Sequence, residues 1–219
     1  LVVIAHSDDE TIGAGGSLAR HLSQGDKVCV VSMTDGVGSR FELEEEANLR
    51  KESAEQASNK IGFTWLDCGS FPDNAMDTVP LIEVVRFIEK IKKDLYPDII
   101  YTHSAADLNI DHQIVNRAVL TAFRPNYDQK FSEIRAMEIP SSTDYSHEKT
   151  TSTFTPNLFI DIEKTWEKKL EGLQCYDKEI RQAPDSRSYE GIENLAKLRG
   201  NQVGLCYAEA FEILKKIER

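Results

Sequence analysis

The opening ten residues constrain this chain most, because an aliphatic run ends abruptly in charged side chains. Residues 1–5 are apolar on both faces, which is typical of a strand buried inside a parallel sheet. His6 and the carboxylates Asp8, Asp9 and Glu10 follow directly. Burying several acids together costs free energy unless a cation neutralises them. The turn after the first strand therefore predicts a cation site, with His6 and Asp9 near enough in sequence to face one ion.

The hydrophobic pattern alternates between strand and helix periods through the first half of the chain. Strands are predicted at 1–5, 27–33, 63–67 and 98–102, and helices at 11–24, 41–61, 81–95 and 111–123. The second half is less regular, with predicted strands at 131–139 and 157–161 and helices at 163–176, 189–198 and 207–217. This order predicts an α/β fold, a Rossmann-like doubly wound and mostly parallel sheet with helices on both faces. No linker or repeat is visible, so we expect residues 1–219 to form a single domain.

Composition excludes several classes of partner. The formal net charge of -11 argues against nucleic acid or anionic lipid as the main partner, because both require a basic surface. No stretch reaches the roughly 20 apolar residues that a membrane span needs. The four cysteines form no CxxC pair, which favours a reducing compartment and predicts a cytoplasmic protein. Because the chain starts inside a strand and without Met, we expect further residues upstream.

A second polar cluster, residues 102–112, follows the fourth predicted strand as the first cluster follows strand one. Both clusters leave the sheet at the same edge, where ligands of such sheets bind. There His6, Asp9 and His112 would supply two imidazoles and one carboxylate, a set that suits zinc and leaves one position open. Asp111 has two readings, either the cap of its helix or a carboxylate that orients an imidazole.

The two clusters carry a family resemblance. Residues 6–10, His-Ser-Asp-Asp-Glu, resemble the His-Pro-Asp-Asp-Glu motif of the PIG-L/LmbE family of zinc-dependent de-N-acetylases. Residues 109–112, Asn-Ile-Asp-His, resemble the second motif of that family, usually His-x-x-Asp-His. Arg50 stands where members often carry a substrate-binding arginine. Two motifs at corresponding strand ends are a far more specific signal than either alone.

The resemblance implies a reaction and a set of roles. Zinc would be bound by His6, Asp9 and His112, with Fe²⁺ or Co²⁺ as alternatives, and Asp8 would be the general base. The implied enzyme is a hydrolase that removes the acetyl group from an N-acetylated sugar or sugar conjugate of the N-acetylglucosamine type, in glycan or surface-polysaccharide biosynthesis. The substrate would be a small molecule, and family members often self-associate, which leaves a homo-oligomer open.

The second motif departs from the family pattern, because Asn109 replaces its first histidine. Asparagine can donate a hydrogen bond to an oxyanion but cannot deliver a proton. Asn109 and Asp111 therefore stay catalytic candidates beside Asp8, while His103, His147 or Asp8 itself could supply the proton. Two alternatives also stay open: a catalytically impaired sugar-binding or regulatory protein, and an amidase acting on a non-sugar amide.

Four arginines are candidates for contacts with the substrate. Arg50 is the favoured one, with Arg40 and His103 as further candidates. For Arg40, Arg187 and Arg199, a surface salt bridge is the favoured interpretation. Arg187 lies in the segment 184–189, Pro-Asp-Ser-Arg-Ser-Tyr, which resembles a stretch found in a bacterial subgroup associated with surface-polysaccharide synthesis.

Overall fold

The structure is a computed structural model that describes residues 1–34, 36, 43–126, 131–148 and 151–218. Within these ranges one sheet contains the strands β1 (Val2–Ile4), β2 (Cys29–Thr34), β3 (Thr64–Phe71), β4 (Ile99–His103), β5 (Glu133–Met137), β6 (Leu158–Asp161) and β7 (Ala208–Lys216). The helices are α1 (Asp9–Ser23), α2 (Leu43–Ile61), α3 (Leu81–Leu95), α4 (Ile110–Ala122), α5 (Trp166–Cys175) and α6 (Tyr189–Asn201). Among the described residues, no helix combines the length and apolar composition needed to cross a bilayer.

The strand order is β3-β2-β1-β4-β5-β7-β6, and the pairs from β3 to β5 are all parallel. Side chains of successive strand residues point to opposite faces, so the buried run that includes β1 contributes to two cores. Val2 and Ile4 pack with α1, α5 and α6, whereas Val3 and Ala5 pack with α3 and α4. The predicted mostly parallel sheet with helices on both faces is therefore confirmed.

The predicted helix at 207–217 is wrong, because this segment forms β7. It pairs antiparallel with both β5 and β6, so each edge of the strand is hydrogen-bonded. Its Ala, Glu, Leu and Lys residues have high helix propensity, which tertiary pairing overrides. The period of two is visible in burial, because Phe211 packs in the core beside α1 and Leu214 in the core on the opposite face.

Candidate metal centre

The two polar clusters meet at the carboxyl ends of β1 and β4, which are neighbours in the sheet. After β1, residues 5–8 make a tight turn into α1, where Thr11 N and Ile12 N both donate to Asp8 O. After β4, residues 104–109 lead into α4, whose first turn carries Asp111 and His112. Because each helix starts within a few residues of a strand end, the side chains of both clusters face the same space.

Three side chains present ligand atoms to a common point. His6 Nδ1 lies 3.2 Å from His112 Nε2, and each of these nitrogens lies 3.3 Å from Asp9 Oδ2. His6, Asp9 and His112 are all buried, and their ligand atoms form one of the groups in the described residues that could hold a metal ion. The structure therefore brings together the three residues that the sequence predicted as metal ligands.

The triangle fits a tetrahedral zinc ion. Nitrogen and oxygen ligands bind zinc at about 2.0–2.1 Å, so the edges of a regular tetrahedron of ligands are about 3.3–3.4 Å long. The observed edges of 3.2–3.3 Å match that geometry for three of its four corners. Asp9 Oδ1 is also buried without a hydrogen-bond partner among the described residues. The donor set thus suits a divalent cation with one position open.

Carboxylates also contact the second ring nitrogen of each histidine, the one that does not face the triangle. His6 Nε2 lies 3.1 Å from Asp73 Oδ1 and 3.3 Å from Asp111 Oδ2, and His112 Nδ1 lies 3.0 Å from Asp107 Oδ2. Metal-binding histidines usually donate their distal N–H to such a group, which fixes the ring and its tautomer. His6, Asp73 and Asp111 also form a candidate cation group. With His6 Nδ1 facing Asp9 and His112, however, the N–H at Nε2 can be donated to Asp73 or Asp111, which would then orient the ring of a ligand.

The electrostatics of the site favour positive charge. Although burial opposes protonation, Asp111 and Asp73 raise the pKa of His6 well above its usual value. Burial likewise opposes protonation of His112, but Asp9 and Asp107 raise its pKa to about 9. The carboxylates of the site thus stabilise added positive charge, whether protons or a divalent cation bring it.

Asp8 lies beside the triangle and contacts two arginines. Its side chain is fully buried, and neither oxygen accepts a hydrogen bond from a described residue. Arg50 lies 3.1 Å from Oδ1, and Arg187 lies 3.5 Å from Oδ2. Burial raises the pKa of Asp8, an effect that Arg50 opposes. Asp8 is therefore a carboxylate held by charge rather than satisfied by hydrogen bonds.

Arg50 is more constrained than a simple substrate contact would be. Its Nε donates to Ser7 O at 3.2 Å and its Nη1 to Gly36 O at 3.3 Å. It also forms an ion pair with Glu179 at 2.9 Å, besides the one with Asp8. Since these contacts use most of its donors, Arg50 ties the turn after β1 to α2 and to the segment after α5. Its predicted substrate role stays a prediction.

Asn109 and Asp111 occupy different positions at the start of α4. Asn109 is the N-cap, because its side chain accepts hydrogen bonds from the backbone N–H groups of Asp111 and His112. Asp111 is not the cap, since its carboxylate accepts from Asn74 N at 2.7 Å and Met76 N at 3.0 Å and faces His6. Of the two readings of Asp111, the structure supports the one in which it orients an imidazole.

His103 is buried beside the metal triangle. Ala5 N donates to its Nε2 at 2.8 Å, and its ring stacks on His112 with the centroids 3.8 Å apart. Burial lowers its pKa to about 3, which describes a neutral ring. The geometry therefore gives His103 a packing role and supports neither its candidacy as an acid nor as a substrate contact. Arg40, the other candidate contact, lies outside the described residues.

Sequence reasoning missed several residues of the site. Asp73 follows β3 and Asp107 follows β4, so their positions after strands at the same edge were the available signal. Glu10, which the sequence already placed in the first cluster, also contacts this region, because its carboxylate accepts from Asp8 N at 3.0 Å and from the hydroxyl of Tyr176 at 2.9 Å. Arg187, expected on the surface, has a largely buried side chain that reaches Asp8.

Comparison with known proteins gives matches in sequence and in structure. The sequence model of the GlcNAc-PI de-N-acetylase (PIG-L) family matches residues 1–123. A curated relative, 4-oxalmesaconate hydratase of Pseudomonas putida, is 28% identical over 193 residues, which cover 80% of this chain and 71% of the hydratase.

Two solved structures share the fold. N,N'-diacetylchitobiose deacetylase from Pyrococcus horikoshii superimposes with a TM-score of 0.76 and 21% identity, covering 97% of this chain and 82% of the deacetylase. 4-Carboxy-2-hydroxymuconate hydratase from Pseudomonas putida gives a TM-score of 0.79 and 22% identity, covering 100% of this chain and 96% of the hydratase. Because the family match spans more than half of its residues, this chain belongs to the PIG-L family, as an enzyme related to deacetylases and hydratases.

Proposed function

We propose that this protein is a metal-dependent hydrolase that removes the acetyl group from an N-acetylated sugar or sugar conjugate. The observation that carries the proposal is the triangle of His6, Asp9 and His112 with Asp8 beside it. The deacetylase among the solved structures of the same fold and the PIG-L family description support this reaction class. A binding role alone would not require a buried carboxylate next to an open cation site.

Zinc is the ion that the donor set fits best, with Fe²⁺ or Co²⁺ as the other candidates. His6, Asp9 and His112 would hold it, and Asp73, Asp107 and Asp111 would orient the two rings. When bound, the ion supplies Lewis acidity, which lowers the pKa of water and polarises an amide carbonyl. The chain's own contribution is to fix these ligands at the buried edge of the sheet.

Asp8 is the residue that would move the proton. Its oxygens have no hydrogen-bond donor among the described residues, so one can accept the proton of the attacking water. The water oxygen becomes part of acetate, the C–N bond breaks, and the proton passes from Asp8 to the leaving amine. Asn109 cannot serve as this acid, because an amide does not titrate near neutral pH.

The test combines metal analysis with acetate release from a panel of free, nucleotide-linked and lipid-linked N-acetylglucosamine compounds. Asp8→Asn should retain the metal and lose about 10²–10⁴-fold in kcat, the range for a positioned base. His112→Ala should lose the metal as well. His21→Asn is the control, because His21 lies near the other end of α1 and contacts Asp26 and Tyr101. Full activity of Asp8→Asn would remove the assigned base, and binding of an acetylated sugar without acetate release would favour an impaired or regulatory protein.

A second candidate function is hydration of an unsaturated carboxylic acid. It is favoured by the 28% identity to 4-oxalmesaconate hydratase and by the two guanidinium groups beside Asp8. Hydration would use the same base and cation. Water would be added across a carbon–carbon double bond, and no amide bond would be broken. Loss of ultraviolet absorbance by 4-oxalmesaconate, without acetate release from any acetylated sugar, would establish this function in place of the first.

A further inference from the structure

We propose that Arg187 forms a subsite for an oxyanion, a carboxylate or phosphate carried by the substrate, next to the metal triangle. The inference rests on the proposed function for the position of the reacting group, but its own basis is the geometry of Arg187. It implies that the substrate is acidic, which an amide hydrolase of neutral sugars would not require.

The backbone of Arg187 is held firmly in place. Its N–H donates to Asp185 Oδ1 at 2.8 Å, and its carbonyl accepts from Arg181 N at 3.3 Å. Ser188 follows as the N-cap of α6, with its hydroxyl accepting from Gly191 N at 2.9 Å. The start of α6 can pack this closely against the segment before it because residue 191 is glycine. A Cβ at Gly191 would lie 2.5 Å from Ser186 O. The segment 181–188 therefore fixes the direction in which the arginine leaves the backbone.

The side chain of Arg187 is oriented by one hydrogen bond, but its terminal N–H donors are not used. Its Nε donates to Pro140 O at 3.3 Å, and its Nη1 lies 3.5 Å from Asp8 Oδ2, which exceeds the usual hydrogen-bond length. The terminal nitrogens thus make no hydrogen bond to a described residue, although only 16% of the side chain is exposed. A partly desolvated guanidinium normally pairs its donors, so this one has capacity for a ligand.

Arg50 provides the contrast that assigns the role to Arg187. Arg50 has hydrogen bonds to backbone oxygens and ion pairs with both Asp8 and Glu179. Asp8 is therefore shared, and it lies closer to Arg50, at 3.1 Å, than to Arg187, at 3.5 Å. Arg50 is a positioning residue for Asp8, while Arg187 has no counterion of its own within the described residues.

The chemistry of a guanidinium whose terminal nitrogens donate no hydrogen bond selects the ligand. Its planar fork of N–H donors matches carboxylate and phosphate oxygens, and such charge-assisted pairs are stronger than neutral hydrogen bonds. Because Arg187 Nη1 lies 3.5 Å from an oxygen of Asp8, the proposed base, an anion on Arg187 would lie close to the reacting group of the same substrate. The subsite would thus select acidic sugars or acidic unsaturated acids over neutral analogues.

The test uses deacetylated sugars, which the proposed hydrolase cannot turn over, so that binding is measured independently of activity. Calorimetric titration of the zinc-loaded protein compares glucosamine with glucosamine 6-phosphate and with muramic acid, which carry a phosphate and a carboxylate. We expect at least one acidic sugar to bind about tenfold more tightly than glucosamine, the effect of one charge-assisted contact. The acidic sugar with the higher affinity identifies which oxyanion the subsite takes.

Arg187→Gln should abolish this preference and leave the affinity for glucosamine unchanged. Arg181→Gln is the matched control, because it removes an exposed arginine from the same segment and should retain the preference. Where Arg187→Gln does not fold by circular dichroism, Arg187→Lys is used, which keeps the charge, loses the fork and should weaken the preference.

Four outcomes are decisive. No preference in the wild-type protein, a preference that is undiminished in the Arg187 variants, or an equal loss for neutral and acidic sugars would each overturn the inference. Loss of the preference in the Arg187 variants alone supports it, even if no acetylated sugar releases acetate, in which case the proposed function fails and the subsite stands.

Discussion

A buried ion pair beneath α1 gives a prediction whose size can be worked from the structure. Lys169 Nζ lies 2.6 Å from Glu209 Oε1, and the side chains are only 3% and 4% exposed. Glu209 also accepts from the backbone N–H groups of Gly16 at 2.9 Å and Ser17 at 2.7 Å. Lys169 donates to Ile12 O at 2.7 Å as well. This pair joins α5 and β7 to the helix that begins with Asp9.

The perturbation is Glu209→Gln, which keeps the shape and removes the charge. Lys169 would then be buried without a carboxylate, and breaking a buried pair in this way costs about 3–5 kcal/mol of unfolding free energy. Lys169→Met should cost less, about 2–3 kcal/mol, because Glu209 keeps two backbone donors. In the double variant no uncompensated charge remains, so its loss should be smaller than the sum of the single losses by at least about 1 kcal/mol.

The assay is urea unfolding of metal-free protein followed by the fluorescence of Trp166, which stacks against Tyr207 in the same region. Glu171→Gln is the matched control, because Glu171 pairs with Lys168 on the same helix at 2.9 Å but is exposed. Exposed pairs contribute little, so its unfolding midpoint should not change measurably. A loss below about 1 kcal/mol for Glu209→Gln, or strict additivity in the double variant, would refute the reasoning.

Four further perturbations test the site. Tyr176→Phe removes the hydroxyl that donates to Glu10 and should lower the unfolding free energy, measured by calorimetry, by about 1–2 kcal/mol. An unchanged unfolding free energy would argue that this hydrogen bond is not formed. Asp107→Asn should weaken zinc binding about 10- to 100-fold in a chelator competition, and unchanged affinity would deny it a role behind His112. Asn109→Ser keeps a capping oxygen but loses the amide donor. A fall in kcat of about 10²-fold at unchanged Tm would indicate that the side chain of Asn109 stabilises the oxyanion. An unchanged kcat would limit Asn109 to capping α4. Removing the metal with EDTA should lower the Tm and adding zinc should restore it, whereas an unchanged Tm would count against a bound ion.

The fold could be predicted from sequence where the signal was local. The run that contains β1 is apolar on both faces, and α3 carries apolar residues at helical spacing, so both elements were predictable. β7 was not, because its pairing partners in β5 and β6 are distant in the chain and its residues favour helix. The contact between Glu209 and Lys169 beneath α1 could not be predicted either, because no residue near Glu209 in the sequence indicates it.

The residues of the candidate site likewise include some that the sequence predicts and others that it does not. His6, Asp9 and His112 could be found because they lie in short motifs directly after two strands, and the strand order brings them together. Asp73 lies outside both motifs, and only the position of β3 at the same edge of the sheet takes it to His6. Arg187 reaches Asp8 through a segment folded on its own hydrogen bonds, which no periodicity reveals.

In the proposed hydrolysis, the position of Asn109 limits which residues could protonate the leaving amine. Its side-chain oxygen caps α4, and its Nδ2 donates to Asn74 Oδ1 at 3.2 Å, so the residue is already engaged as donor and acceptor. His103 is buried and neutral, with Nε2 accepting from Ala5 N. Among the candidate acids placed beside the triangle, this leaves Asp8, whose oxygens have no hydrogen-bond donor in the described residues. Hence the substitution of Asn109 for histidine does not by itself imply lost catalysis, because one carboxyl group can take the proton from water and return it to the amine.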